Sequence, residues 1–389
     1  MRALVYGLAR SGRAAAARLE ARGDEVVTVD RSLGNEQDLS LLDGVEVLVK
    51  SPGVPAERPL VAEARRRGIA VWSELELGWT LLPPRTRLVG VTGTNGKTTT
   101  SELLGAIFRA AGRNVAVAGN VGTALSSIEG ADWVVCEVSS FQLEDVHRFE
   151  CDVAVLLNLE PDHLDRHGSF EAYRAAKLRI FERARAAVVP AGSGLDGIEF
   201  SAEDPLPAEP LIRGAHNREN AAAATAAARA TGVDEAAIAE ALRTFPGVAH
   251  RLEPVAEVDG VRYVNDSKAT HVAAAVRGLQ AYASEPVHLI LGGSVKGESF
   301  APLAAAIGPN VRSIHLIGEA AGQLADAIGE RADVDHTLDR AVAHAAGLAE
   351  PGDVVLLSPA CASYDQYDNF ERRGEHFGRL ASARDRLWP

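Results

Sequence analysis

The chain has 389 residues, 47% of them apolar, and a formal net charge of −13 from 40 basic and 53 acidic side chains. That length exceeds one ordinary core, so two or three globular domains are expected. The acidic balance argues against sequence-independent nucleic-acid binding, which needs a basic face, whereas anionic small molecules need only helix N-termini and a few local cations.

The chain opens with "RALVY" at 2–6, a buried strand, and "SGRAAAARLEARG", a helix closed by Gly23, rather than a targeting peptide. Further strands are expected at 25–30, 46–50 and 69–72. Short apolar runs alternating with helical segments predict a parallel, doubly wound sheet. "LLPPRTR" at 81–87 breaks the pattern as a linker. A second α/β unit has strands near 87–92, 114–118, 132–138, 153–157 and 186–189, and "DPLPAEPLIRG" at 204–214 closes it. An Ala-rich helix and strands near 261–264, 287–291, 313–317 and 353–357 make a third. The expected architecture is therefore α/β with three domains, 1–84, 85–213 and 214–389. Cys136, Cys151 and Cys361 show no C-x-x-C spacing, which predicts a reducing, cytoplasmic compartment. No apolar run reaches the ~18 residues of a membrane span, so no membrane insertion is expected.

"VTGTNGKTTT" at 91–100 lies between a strand and a helix, where phosphate loops sit, although its glycines miss the G-x-x-x-x-G-K-[ST] offsets. Gly93 and Gly96 allow backbone N–H groups to face an anion at a helix N-terminus. Lys97 suits the β- and γ-phosphates, and Thr98 a Mg²⁺ ion. Glu137 ends a later strand, where α/β sheets place their chemistry, and a carboxylate there suits Mg²⁺. "NLEPDHLDRHGSFEAYRAAKLRIF" crowds Asp162, His163, Asp165 and His167 into one loop. A histidine among carboxylates serves as metal ligand, substrate-orienting group or structural residue, and its spacing does not choose between them. Lys177, in the helix that follows, reads on composition as a solvated surface charge.

Together these pieces resemble the ATP-dependent amide ligases that build the peptidoglycan stem peptide, the Mur ligases. "TGTNGKTTT" is similar to that family's own phosphate loop, "NLEPDHLDRHGSFEAYRAAKLRIF" at 158–181 to its second nucleotide motif, and "HNREN" and "AHRLE" to the start of its C-terminal domain. "NDSKAT" at 265–270 and "LLSPACASYDQYDNFERRGEHF" at 356–377 look like the branch that adds D-glutamate.

The resemblance implies a Rossmann-like N-terminal domain for the UDP substrate, a central P-loop-type ATPase domain, and a Rossmann-like C-terminal domain for the amino acid. It implies ATP and two Mg²⁺ ions as cofactors, UDP-N-acetylmuramoyl-L-alanine and D-glutamate as substrates, an acyl-phosphate intermediate and a monomer. Lys97, His163 and Lys177 would be catalytic. Gly93, Thr94, Asn95, Gly96, Lys97, Thr98 and Thr99 would hold ATP, with Asn217, Asn220, Arg251 and Asp266 reaching it from the C-terminal side when the domains close. Thr98, Glu137, His163 and a carbamylated Lys177 would bind metal, which replaces the surface-lysine reading. Arg10, Ser11, Asp30, Arg31 and Ser51 would meet the UDP-sugar, and Asn120 and Ser139 the muramoyl-alanine end. Lys268, Thr270, Ser363 and Phe370 would hold D-glutamate. The family usually has Asn after "DSKAT", where this chain has His271, and "GGSVKGESF" lacks an acidic residue often seen after the two glycines.

Three other readings compete. A sister ligase or folylpolyglutamate synthase shares the earlier motifs but not "SPACASYDQYDNF". A regulatory protein with a decayed site is opposed by the joint presence of Lys97, Thr98, Glu137, His163 and Lys177. A nicotinamide-dependent oxidoreductase would rest on "GLARSG" alone, which lacks the full G-x-G-x-x-G.

Overall fold

The structure is a computed structural model that describes residues 1–295 and 297–383. It divides into two compact units, Met1–Phe245 and the chain from Pro246 onward.

The first unit carries two sheets. β1 (Arg2–Tyr6), β2 (Glu25–Val29), β3 (Val47–Lys50) and β4 (Ala70–Ser73) form a parallel sheet in the order β2-β1-β3-β4. β5 (Arg87–Thr92), β6 (Val115–Gly119), β7 (Trp133–Glu137), β8 (Cys151–Leu156), β9 (Ala184–Pro190) and β10 (Ile198–Phe200) form a second in the order β10-β9-β8-β5-β7-β6, again parallel. Every residue of β5 after Arg87 is buried, as a strand covered by helices on both faces requires. Strand order reverses across β5, which has β7 on one side and β8 on the other. Its C-terminal end is thus the switch point where such sheets bind ligands.

The second unit has β11 (Glu253–Val258), β12 (Val261–Asn265), β13 (Val287–Gly292), β14 (Val311–Ile317), β15 (Ala332–His336) and β16 (Val354–Leu357), in the order β11-β12-β16-β13-β14-β15. All neighbours are parallel except β11 and β12. Among the described residues no helix is long and apolar enough to cross a membrane.

The thirteen expected strands form within a residue or two of the predicted limits, and β10, β11 and β15 are additions. β11, "EPVAEV", carries Pro254 and two glutamates and is ordered by pairing with β12 around Asp259-Gly260, an Asp-Gly hairpin signal. β15, "ADVDH", is a polar edge strand with no apolar run to betray it. The domain limit at 213/214 needs correction. The helices Ala215–Ala230 and Glu235–Thr244 pack on the helix Lys97–Ala110, so residues 214–245 belong to the first unit. The long buried alanine face of Ala215–Ala230 allows the close approach.

Buried polar groups dock the first sheet on the second. Ser73 caps the helix Glu74–Leu81 by accepting the Glu76 N–H. The Glu76 carboxylate in turn accepts the backbone N–H groups of His147, Arg148 and Phe149. Glu74 accepts the Ser126 N–H at 2.7 Å, and burial pushes its carboxyl up. Lys50, on β3, pairs with Asp145 at 3.0 Å, and Arg65 reaches the other oxygen at 2.7 Å. Replacing Glu76 strands three N–H groups away from water, so Glu76→Ala is expected to cost about 3 kcal/mol or more, read as a lower urea midpoint. Glu76→Gln retains an acceptor and is expected to cost less.

Candidate active site

The loop after β5 is built by its glycines. Gly96 has φ +84°, and a Cβ there would stand 2.2 Å from Asn220 Oδ1. A Cβ on Gly93, at φ +156°, would meet Leu157 at 2.9 Å. Both positions therefore require glycine for backbone geometry and for close approach. The loop is braced from the segment after β8. Thr94 N–H donates to Asn158 O at 3.0 Å and Asn95 N–H to Asn158 Oδ1 at 2.8 Å, while the Asn95 amide donates to Glu160. The helix Lys97–Ala110 starts at the loop and turns its N-terminal dipole toward it.

Two cations converge on the loop. Lys97 Nζ donates to the carbonyls of Gly93 and Thr94, both at 2.9 Å. Lys177 Nζ donates to the same Gly93 carbonyl at 2.7 Å and lies 4.8 Å from the Tyr173 ring centre. Lys177 is 2% exposed, which overturns the composition-based reading of a solvated lysine. Burial, helped by the neighbouring Lys97 charge, pushes its amine down to about 7, against the pull of Asp162 and Glu137.

Glu137 ends β7 beside Val91 of β5 and is buried. Asn120 Nδ2 donates to its Oε1 at 3.2 Å, and its Oε2 accepts no hydrogen bond among the described residues. Asn120 is fixed further by its N–H to the Glu137 carbonyl. A free carboxylate oxygen close to a phosphate loop and a hydroxyl-bearing helix start form a donor set that fits Mg²⁺, which takes oxygen ligands. Thr98 lies in the first helical turn and is half-buried.

His163 takes a left-handed conformation, φ +52°, as the cap of the short helix Leu164–His167, and is half exposed. Its ring lies 4.9 Å from Phe141 and 3.5 Å from Asp162 Oδ2. His167, Phe141 and Tyr173 complete the wall. His167 stacks on Phe141 and bonds Ser140 Oγ at 3.0 Å, and the Tyr173 hydroxyl lies 3.0 Å from Thr94 Oγ1. Sequence reasoning gave no role to Phe141, Asn158 or Tyr173, and only their position inside the motif stretches signalled them.

The structure brings most other expected residues to defined places. Asn217 and Asn220 lie on the helix Ala215–Ala230 of the first unit, not on the C-terminal domain, and Asn220 abuts Gly96. Thr99 is buried, and its hydroxyl has no hydrogen-bond partner among the described residues. The Ser139 hydroxyl is engaged in a capping box with Gln142. Around the first turn, Asp30 accepts the N–H groups of Leu8 and Ser32, which hold its carboxyl below the usual range. Ser51 donates to Gly7 O at 2.7 Å, Arg10 reaches the Gly122 carbonyl, and Ser11 and Arg31 occupy the following helix starts.

In the second unit, burial pushes Asp266 up to about 7, opposed by Ser358 Oγ–H at 2.7 Å and by Arg251. Lys268, Thr270, Ser363 and Phe370 lie on segments joined by one buried residue, Arg373. It donates to Ser267 Oγ and to the carbonyls of Ser267, Gly292, Cys361 and Ala362, at 3.0 to 3.2 Å. Ser267 Oγ–H in turn reaches the Phe370 carbonyl. His271 caps the helix Val272–Gln280, its Nδ1 accepting the Ala274 N–H at 3.3 Å. A cap is also a role that asparagine fills well.

Residues 91–196 match the Mur ligase middle domain, and residues 250–361 the Mur ligase glutamate ligase domain. A UDP-N-acetylmuramoylalanine–D-glutamate ligase of Anaeromyxobacter dehalogenans is 42% identical over 99% of this chain and 98% of its own length. The enzyme of that name from Solibacter usitatus is 40% identical over 98% of each. The chain belongs to the Mur ligase family. Among solved Mur ligases, the UDP-N-acetylmuramate-alanine ligase of Thermotoga maritima superposes with a TM-score of 0.64 over 99% of both chains at 18% identity. The fold of this Mur ligase is therefore shared well beyond close sequence similarity.

An amine held at about 7 binds fewer protons folded than unfolded between pH 7 and its ordinary value of ~10.4. Stability is therefore expected to rise with pH across that window. In CO₂-free buffer, denaturant unfolding at pH 7 and pH 9.5 is expected to show that rise in the wild type, and Lys177→Met is expected to flatten it.

Proposed function

We propose that this chain is an ATP-dependent amide ligase that adds D-glutamate to UDP-N-acetylmuramoyl-L-alanine in peptidoglycan precursor synthesis. The observation that carries the reading is the convergence of Lys97, Lys177 and Glu137 on a glycine loop at the switch point of the central sheet, in a chain similar along its whole length to D-glutamate ligases.

The alanyl carboxylate attacks the γ-phosphorus of ATP, ADP leaves, and an acyl phosphate forms. The D-glutamate amine then adds to the acyl carbon, and the tetrahedral intermediate collapses with loss of inorganic phosphate. In this reading the loop N–H groups and Lys97 exchange their internal partners for phosphate oxygens, so positive charge is in place where negative charge develops. Thr98 and Glu137 would hold one Mg²⁺, and His163 with a carbamylated Lys177 a second; when bound, the ions would neutralise phosphate charge. Asn120 orients Glu137, and Tyr173 holds Thr94 in the loop wall. Asn217 and Asn220, and Arg251 and Asp266 of the second unit, would serve the nucleotide. Lys268, Thr270, Ser363 and Phe370 would serve the dicarboxylate amino acid, on segments that Arg373 fixes. Arg10, Ser11, Asp30, Arg31 and Ser51 surround the turn assigned to the UDP-sugar, and Ser139 sits at the end assigned to muramoyl-alanine.

The depressed amine of Lys177 supports carbamylation. Its uncharged nitrogen adds to CO₂ and releases a proton, which converts a cation into an anionic oxygen ligand beside Glu137.

ADP release is expected to require UDP-N-acetylmuramoyl-L-alanine, D-glutamate and Mg²⁺ together; turnover with a different amino acid only would overturn the specificity. Lys177→Ala is expected to lose at least ~100-fold in kcat and to regain part of it with a short carboxylate such as formate. Wild-type rates in that variant would refute the carbamate.

A further inference from the structure

The second unit carries a cluster of metal-ligating side chains that the ligase reaction does not use. Strand register sets Ser313 of β14 beside His288 of β13, and His315 of β14 beside Asp333 of β15. A register shift between β14 and β15 leaves Asp335 unpaired in the ladder and buried, as bulges re-aim a side chain. The helix Leu338–Leu348 supplies His344, whose ring lies 4.7 Å from that of His315.

Asp335 accepts from both imidazoles, 2.8 Å from His315 Nδ1 and 3.2 Å from His344 Nδ1. Further along, His315 Nε2 lies 2.7 Å from Ser313 Oγ, which lies 2.7 Å from His288 Nδ1, and His288 Nε2 lies 3.0 Å from Asp353. Burial raises the Asp353 carboxyl, but the Glu350 N–H, His288 and Arg312 outweigh it and keep Asp353 an acceptor.

Hydrogen counting along this row exposes a deficit. Suppose each ring of the row is neutral and gives its one hydrogen to its carboxylate. Ser313 then has a single hydrogen for two bare ring nitrogens. When that hydrogen turns to His288, the His315 nitrogen keeps a lone pair facing the Ser313 oxygen at 2.7 Å with no hydrogen between them. An unmet polar atom in a buried row is costly; a second ring proton removes the deficit, and so does a metal cation that takes the place of Ser313 Oγ at His315.

We propose that His315, Asp333 and His344 bind a divalent transition-metal ion of the zinc class, with Asp335 as the outer carboxylate that orients both imidazoles. One ligand atom from each of the three residues lies within 4.8 Å of the other two. Asp333 and His344 are exposed, so they are free to close the remaining distance. Two ring nitrogens and one carboxylate select zinc-like ions over Mg²⁺, which prefers oxygen. A carboxylate that accepts the second N–H of a ligating histidine is the usual outer partner of such sites. The ion would join β14, the edge strand β15 and the helix Leu338–Leu348, and so stabilise the second unit by mass action.

The test uses the full chain in excess Mg²⁺, with CoCl₂ as a visible-absorption probe and ZnCl₂ in thermal unfolding. The wild type is expected to develop a Co²⁺ ligand-field band and a higher Tm with Zn²⁺. His344→Ala is expected to lose both, Asp333→Asn to bind more weakly, and Asp335→Asn to lose about 10–100-fold in affinity. Lys177→Ala is expected to keep the band. No band in the wild type, a band unchanged in His344→Ala, or a band lost in Lys177→Ala would each overturn the proposal.

Discussion

Two lysine ammonium groups share one carbonyl oxygen, that of Gly93. Like charges this close repel, and Asp162 and Glu137 offset the repulsion at Lys177 only in part. Burial first, and the Lys97 charge second, make Lys177 less basic. Lys97 answers by spreading its bonds over a second carbonyl, that of Thr94. The arrangement persists because β5, the helix Lys97–Ala110 and the segment after β8 fix the loop from three sides. In a chain with net charge −13, the loop thus holds two lysines side by side, an arrangement that suits an anionic ligand.

The rest of the first unit positions that loop. Parallel pairing of β5 with β7 and β8 brings Glu137 to the same sheet edge as Gly93. The stretch Asp162–Lys177 then folds over it, with Tyr173 against Thr94 and Lys177 against Gly93. The junction with the N-terminal sheet is polar and buried rather than greasy, with Glu76 on three N–H groups and Lys50 on Asp145. Such contacts are directional, so they fix an orientation between two sheets as well as a separation.

Arg373 performs the parallel task in the second unit. All its bonds go to one hydroxyl and four carbonyls, none to a carboxylate. A buried guanidinium held in this way keeps much of its field, and burial pushes it down to about 10. The segments it joins contain Lys268, Thr270 and Ser363, so a donor-rich region is held in register by a residue that need not touch ligand.

Strand positions, three α/β layers and the phosphate loop were legible from local pattern, because a buried parallel strand writes itself as a short apolar run and a phosphate loop as glycines before Lys-Thr. Polar edge strands such as β15 were not, since pairing and not composition orders them. Nor was the membership of residues 214–245, because the alanines of that helix do not encode which neighbour it packs on, and only tertiary contact shows the first unit. Lys177 shows the division most clearly. The sequence determined that a lysine stands one turn beyond Tyr173 on a helix. Burial against the phosphate loop, which no local pattern encodes, decided that this lysine is a poorly basic amine aimed at Gly93 instead of a solvated charge.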